Sequence, residues 1–511
     1  MASLAAYFAG TKLPRGPPST STLPLSATQA PIHNTSPAEL EAAWADFVAI
    51  VGQENVSTSQ DQRVSHAKSE WSAHNPPASE PIPFCIVYPA TTEEVSQIMK
   101  VCHRRKIPVT AYCGGTSLEG HFAPTRGGIC IDFGRMDKVL ALHKEDLDVV
   151  VQPAVGWELL NESLSKDGLF FPPDPGPGAR IGGMIGTGCS GTNAYRYGTM
   201  REWVLSLTVV LADGTIIKTR QRPRKSSAGY DLTKVFIGSE GTLGLVTEAT
   251  LKLTVKPATT SVAVCSFGSI RQAADCVQRV VGTGVPVAAV EILDDEMMKC
   301  INQAGQTART WQEKPTLFFK FAGTPKGVQE QIDTVKQMAK LSGSTGFDFA
   351  RSQEEQLDLW SARKEALWST MAVKRDGDKV WTTDVAVPIS RLPDLIEETK
   401  TDMSKSGLYG TIVGHVGDGN FHAILLYNDA ERKIAEEVVH RIVKRALEME
   451  GTVTGEHGVG LIKRDYLDHE LGSAAVDVMR KMKQSFDPLC ILNCDKVVRV
   501  QKPAKGEVSE W

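Results

Sequence analysis

No two cysteines in this 511-residue chain are spaced Cys-x-x-Cys, and only ten are present. That excludes a disulfide scaffold, a zinc ribbon and a ferredoxin-type cluster, since Cys490 and Cys494, four apart, stand alone. Most of the ten sit in apolar stretches such as FCIVYP and GICIDF, which predicts reduced, packed thiols. Any electron chemistry therefore needs an organic cofactor. No apolar run reaches the roughly 20 residues of a membrane-spanning helix, so there is no transmembrane segment and membrane association would be peripheral. A net charge of −4 leaves no electrostatic case for nucleic acid, and the basic run RPRK (222–225) lacks interleaved aromatics and predicts a solvated loop. Acidic residues are missing altogether from positions 1–38, where Lys12 and Arg15 stand among many Ser, Thr, Pro and Ala. That composition fits either a mitochondrial-type targeting leader or a disordered tail on a cytoplasmic protein.

A chain of this length exceeds what one core organises. After the tail at 1–38, a helical segment occupies 39–81, entered through Ser36-Pro37 with Ser36 at the cap. From 82 to 257 short apolar strands alternate with glycine-rich turns, and a helix begins at Thr91-Thr92-Glu93-Glu94. Lys256-Pro257 marks a boundary. Between 258 and 499 the strands SVAVCSF, TLFFKFAG, VWTTDVAVP and GTIVGHV interleave with amphipathic helices near 271–281, 327–341 and 430–450, an α+β pattern, and 500–511 is a tail.

Three glycine-rich stretches dominate the first large region: AYCGGTSLEGH (111–121), PPDPGPGARIGGMIGTGCSGTNAYRYG (172–198) and GSEGTLG (238–244). Glycine lets backbone amides approach phosphate oxygens closely, so the three are candidate pyrophosphate cradles. Gly186-Thr-Gly188-Cys-Ser-Gly191 matches the dinucleotide fingerprint, with Asp213 at a suitable distance. Its context argues against a Rossmann unit, because TNAYRYG predicts no helix and Asp213-Gly214 sits in an apparent hairpin turn.

The stretch GHVGDGNFH (414–422) places two histidines around Gly-Asp-Gly-Asn. Its flanks are β-branched and aromatic, and Asp418-Gly419 suits a two-residue hairpin turn. Pairing of 417 with 420, 416 with 421 and 415 with 422 follows, so His415 faces His422 across the ladder. Opposed Cβ atoms lie roughly 4.5–5.5 Å apart, within reach of one shared cation. Two partly buried polar residues would read the same way, and a third ligand is what separates the two readings. GEHGVG (455–460) brings another acid and another imidazole.

From about residue 60 to the C-terminus the segments PFCIVYPATTEEVSQIM, YCGGTSLEG, GTNAYRYGTMREWVL, SAGYDLTKVFIGSEGTLGLVTEATLKL, GHVGDGNFH and TGEHGVG occur in one order. In this the chain resembles the FAD-linked oxidases of the vanillyl-alcohol oxidase and p-cresol methylhydroxylase type, and among them the 2-hydroxy acid dehydrogenases. The resemblance implies a PCMH-type FAD-binding domain of two α+β subdomains and a C-terminal α+β cap domain with an antiparallel sheet. It places Gly114, Gly115, Thr116 and Ser117 at the FAD pyrophosphate, with Gly182, Gly183, Glu240, Gly241 and Asn493 around the dinucleotide. Some relatives attach FAD through a histidine just after the first Gly-Gly. Thr116 stands there in this chain, which predicts non-covalent FAD, and His121 five residues on reads as a polar loop residue. The family pattern Asn-Pro-Gly-Lys near the C-terminus reads Asn493-Cys494-Asp495-Lys496, leaving Asn493 and Lys496 as candidate flavin-edge contacts.

Glu456 then supplies the missing ligand, because two histidines and a carboxylate form a common catalytic zinc set. The resemblance likewise assigns His415, His422 and Glu456 to a divalent metal, zinc foremost, and His457 to the catalytic base. It also points to Arg363, in LWSARKEAL, for the substrate carboxylate, where a guanidinium offers a bidentate grip, and to Asn420 at the substrate. The implied reaction is oxidation of a small D-2-hydroxy acid, with electrons passing to an external acceptor such as cytochrome c. Relatives that oxidise 2-hydroxyglutarate are expected to carry a lysine in the strand matching VWTTDVAVP, where this chain has Thr382 and Thr383. D-lactate is therefore the expected substrate, with glycolate or D-2-hydroxyglutarate as alternatives on the same scaffold. A zinc hydrolase would leave the glycine stretches unexplained.

Overall fold

The computed structural model describes residues 20–504 and 507, except 70, 75, 77 and 78. Its largest sheet grows from Thr259–Ser266 and Thr316–Gly323, which pair antiparallel from end to end. Gly346–Phe349, Ala289–Leu293, Tyr409–Gly414, Asn420–Tyr427 and Lys379–Thr382 complete it, all antiparallel, with Val385–Ala386 also paired to Asn420–Tyr427. Successive side chains on a strand point to opposite faces, and both faces are covered. Phe319 and Phe321 pack toward the helices Ile270–Gly282, Pro325–Leu341, Leu392–Ser406 and Arg432–Glu448. Phe318, Val413 and Ile424 pack on the other side, toward Asp295–Ala304 and Gln353–Ala372. Directly paired residues share a face. Glu291 opposite Phe318, His422 opposite Val413 and Lys320 opposite Val262 therefore all project to the side of helix Gln353–Ala372.

The N-terminal half builds smaller sheets. Ile86–Val87, Ile129–Asp132 and Val109–Tyr112 run parallel, edged by antiparallel Val56–Ser57. Helices Pro37–Val51 and Thr92–Arg105 share their core. Thr91 caps the second helix by accepting the Glu94 amide, as its sequence predicts. Val139–His143, Asp148–Val151, Leu245–Lys252, Val204–Val210 and Ile216–Lys218 form an antiparallel sheet in that order. Asp213 lies in the turn between the last two strands, its Oδ1 accepting the Thr215 amide. Gly191 is followed by two four-residue helices, Ala194–Tyr197 and Met200–Trp203, the first inside TNAYRYG where no helix is expected, and neither is long enough to be a Rossmann helix. The architecture is α+β, and the fingerprint-like glycines are not part of a Rossmann unit.

Two further expectations give way. Residues 20–36 are not an unstructured tail: Leu23 is buried, its amide bonded to the Asp477 carbonyl and its carbonyl to Arg480, and His33 reaches the carbonyls of Leu489 and Cys490. Buried backbone must find partners, and here the C-terminal helix Ser473–Phe486 supplies them. The remainder of the expected leader, 1–19, lies outside the described residues. The histidine hairpin also closes differently, with Val413 rather than His415 opposite His422. Val416–Asp418 winds into a 3₁₀ turn and Gly419 follows at φ +75°, so the loop between the strands holds five residues, 415–419, instead of two. A side chain at Gly419 would strike the Val387 carbonyl, which explains why the turn needs glycine there.

Candidate active site

The longer turn puts His415 at a bend, off the ladder, and swings its ring perpendicular to that of His422 with centroids 5.7 Å apart. The Nδ1 of His415 contacts Glu291 Oε1 at 2.9 Å, and the Nδ1 of His422 contacts the Thr383 carbonyl at 2.9 Å. Both Nε2 atoms are thereby turned to one point. Glu456 Oε1 lies 3.1 Å from the first and 3.2 Å from the second, and the three donors fall within 4.8 Å of one another. Outer nitrogens fixed by an acceptor, inner nitrogens converging with a carboxylate: that is what metal-ligating histidines require, so the donor set fits a divalent cation. Ser190 orients the carboxylate from behind, donating to Glu456 Oε2 at 2.7 Å. Burial disfavours charge on His415, yet Glu291 and Glu456 outweigh it and hold the imidazole well above its ordinary range.

Asp384, between strands Lys379–Thr382 and Val385–Ala386, builds the turn that presents Glu456 and His457. Its Oδ2 accepts the amides of Glu456 at 3.0 Å and His457 at 2.8 Å and the Thr454 hydroxyl at 2.6 Å. Gly455 permits this closeness, for a Cβ there would lie 2.5 Å from the Asn420 amide nitrogen. Asn420 itself, expected at the substrate, is buried and does not line the cavity; its amide donates to Asp384 Oδ1 and to the Val385 carbonyl. The His457 ring stacks on His422, and its Nδ1 lies 3.4 Å from Glu119. Lys463 completes the cluster at 2.8 Å from Glu119 and 3.3 Å from Asp384. Burial would raise the Asp384 carboxyl, but His457, Lys463 and His422 outweigh it and depress it far below the usual range.

A cavity of about 840 Å³ runs from this cluster into the glycine-rich half. Gly114, Gly115, Thr116, Ser117, Gly182, Gly183, Glu240, Gly241 and Asn493 all line it, together with Arg363, His415, His422, Glu456 and His457. Its size is at the upper end of cofactor pockets. Gly115 takes φ +66° with the Tyr112 hydroxyl where a Cβ would go, a Cβ on Gly182 would lie 2.7 Å from Pro153, and Gly183 meets nothing within 4 Å. Backbone is thus laid bare along the wall, as a pyrophosphate cradle requires. The buried Oδ1 of Asn493 has no protein partner among the described residues, while its amide holds the Glu240 carbonyl at 2.7 Å. The Glu240 carboxylate accepts the amides of Val459 at 2.6 Å and Gly460 at 2.8 Å, tying the glycine half to the histidine half. These features fit a dinucleotide flavin.

The family model for "FAD binding domain" matches residues 83–220, and that for "FAD linked oxidases, C-terminal domain" matches 256–497. The chain belongs to the FAD-linked oxidases. Among relatives, this oxidase is 51% identical to a mitochondrial D-lactate dehydrogenase [cytochrome] of Kluyveromyces lactis, over 88% of the chain and 79% of that protein. It is 49% identical to mitochondrial D-lactate dehydrogenase [cytochrome] 1 of Saccharomyces cerevisiae, over 94% of the chain and 84% of the relative. Substrate-bound p-cresol methylhydroxylase shares the fold, with TM-score 0.74 at 18% identity, covering 92% of this chain and 98% of that one.

In this FAD-linked oxidase the departure from Asn-Pro-Gly-Lys is absorbed locally. Asp495, where the family pattern has glycine, takes φ +73°, and its carboxylate is clamped by Arg126 and Thr125. Lys496 is not a flavin-edge contact: it is buried, donates to the Ala123 carbonyl and does not line the cavity. His121 lies 3.1 Å from Glu240 Oε2. Glu119, Glu291, Lys320 and Asp384 escaped the sequence reading. A signal existed for Glu291, Lys320 and Asp384, since each is a charge inside an otherwise apolar strand or strand end (AVEIL, TLFFKFAG, VWTTDVAVP), and charges are buried only where something pairs with them.

Proposed function

We propose that this oxidase converts a small D-2-hydroxy acid, D-lactate foremost, to the 2-oxo acid, with FAD as its redox cofactor and an external acceptor such as cytochrome c taking the electrons. The observation that carries the reading is the single cavity whose wall holds the glycine cradle at one end and His415, His422, Glu456, His457 and Arg363 at the other. The two relatives named as D-lactate dehydrogenases support substrate and acceptor, and their names support a mitochondrial location.

Oxidation of lactate to pyruvate removes the Cα hydrogen with its electron pair and the hydroxyl proton. When bound, FAD supplies a hydride acceptor, and a divalent metal, zinc by its donor set, supplies a Lewis acid that makes the hydroxyl more acidic. His415 and His422 through Nε2 and Glu456 through Oε1 would hold the metal. His457 takes the hydroxyl proton. Burial disfavours an imidazolium at His457, but Asp384 and Glu119 outweigh it and raise its proton affinity above the ordinary histidine value. Arg363 binds the carboxylate, its Nε anchored on Glu291 at 2.7 Å so that the guanidinium is already oriented. Thr116 after Gly114-Gly115 supports non-covalent flavin. Thr382 with Val380, Val413 and Ile424 on the cavity wall supports a small, uncharged substrate side chain, whereas Thr383 is turned away, accepting the Ala423 amide.

Anaerobic addition of D-lactate and L-lactate to the yellow holoenzyme, before and after chelator, tests the reading. Bleaching of the flavin band by D-lactate alone, abolished by chelator, is expected. Bleaching by glycolate or D-2-hydroxyglutarate instead would move the substrate, and a protein that binds no FAD would sink the proposal.

A further inference from the structure

Lys320 stands in the middle of an apolar strand, between Phe319 and Phe321, and lines the cavity. Its ammonium lies 3.4 Å from the Thr192 hydroxyl and 4.0 Å from the centroid of the Trp360 ring, and neither partner is charged. An ammonium has three donors to place, and one long hydrogen bond plus an aromatic face uses little of that capacity. Asp174 is one step removed, reached through Thr192, whose hydroxyl donates to Asp174 Oδ2 at 2.6 Å. Asp174 is the foremost counter-charge on Lys320, yet its Oδ2 is taken by Thr192 and its Oδ1 by the Asn193 amide, so it makes no direct contact with the ammonium.

Arg363 lines the same cavity and acts on Lys320 as a like charge. It follows Trp360 by three positions on helix Gln353–Ala372, hence on one helix face one turn away. Both Lys320 and Arg363 act on Glu291, yet Glu291 is already divided between Arg363 and His415. Lys320 and Arg363 repel each other, and the carboxylates that oppose this, Asp174 and Glu291, are both engaged elsewhere, Asp174 by Thr192 and the Asn193 amide and Glu291 by Arg363 and His415, so an anion entering the cavity is favoured by both cations. Burial lowers the proton affinity of Lys320 despite Asp174 and Glu291, and Arg363 adds to the penalty, which a bound anion would relieve.

We propose that Lys320 is a second substrate-binding cation, which together with Arg363 holds the carboxylate of the bound acid. This rests on the 2-hydroxy acid reading above and adds a residue to it. The lysine expected in relatives that oxidise 2-hydroxyglutarate belongs to another strand, the one matching VWTTDVAVP, and meets a distal carboxylate. Lys320 enters from TLFFKFAG and shares its neighbourhood with Arg363, the cation for the carboxylate next to the hydroxyl.

The test uses oxidised holoenzyme, wild type, Lys320→Met and Lys320→Arg, titrated calorimetrically with pyruvate and with its neutral counterpart pyruvamide, alongside steady-state oxidation of D-lactate. The Met variant is expected to bind pyruvate about tenfold or more weakly, the loss typical of a charged hydrogen bond, with pyruvamide changed less than about twofold. KM for D-lactate should rise by a similar factor while kcat changes little, and Arg should restore most of the affinity. Equal weakening of acid and amide would show a purely structural lysine and overturn the proposal, as would unchanged pyruvate binding. Loss confined to D-2-hydroxyglutarate oxidation would also overturn it, assigning Lys320 to a distal carboxylate. Lysine-dependent pyruvate binding without any D-lactate oxidation would sustain the proposal and sink the functional reading, whereas D-lactate oxidation indifferent to Lys320 would do the reverse.

Discussion

The ring of His457 lies flat on that of His422, with centroids 4.8 Å apart and planes inclined by 7°. A candidate base and a candidate metal ligand thus share one face, although 35 residues separate them in the chain. Asp384 fixes the relation from below through the His457 amide.

Replacing His457 by Gln should remove the proton acceptor while keeping the stack. Flavin reduction by D-lactate, followed by stopped-flow, is expected to slow by about 10²–10⁴, the usual contribution of a general base. FAD and metal content should stay at wild-type levels. Loss of metal in this variant would make His457 a ligand.

Glu291 holds His415 by its outer nitrogen, and partners of this kind typically contribute 10- to 100-fold to metal affinity. Glu291→Gln should weaken metal binding by about that factor. Competition with a metallochromic chelator measures it, with no activity assay needed. An unchanged affinity would remove the triad from consideration as a metal site.

Thr116 occupies the position at which attachment of flavin would need a histidine. Acid precipitation of the holoenzyme should release all yellow colour into the supernatant. Flavin that stays with the pellet would place a covalent link elsewhere in the cavity.

Asp495 is held at about 2 by Arg126 and Thr125 despite burial, which by itself would raise it. Its unfolded value is roughly 3.9. Because the folded value is the lower one, the unfolded chain binds more protons between the two. The stabilisation is therefore complete above about pH 5 and is lost as pH falls toward about 2. The difference corresponds to roughly 2 to 3 kcal/mol. Asp495→Asn, which still tolerates a left-handed backbone, should lose about that much in urea unfolding at pH 7, and its gap from wild type should narrow between about pH 5 and pH 3. A gap independent of pH would mean that the carboxylate contributes through shape alone.

Much of this could be read from neighbours along the chain. Period-two strands, the Thr91 cap and the Asp213-Gly214 hairpin depend on interactions within a dozen residues, and all appear as their sequences predict. The order of motifs was enough to point to the family and to FAD.

Other features exist only once strands are in register. Glu291 meets His415 across 124 positions, and Asp384 meets the amide of His457 across 73. Lys320 comes near Arg363 because one strand faces one helix. A longer turn moved His415 off its predicted ladder position, yet the ring still reached His422, since side-chain torsion can absorb what the backbone shifts. The sequence by itself determined which elements form and which chemistry the chain carries, because those follow from local periodicity and residue type. Only the tertiary structure decided which buried charge pairs with which, because that choice depends on which faces the packed sheets and helices bring within a few ångströms of each other.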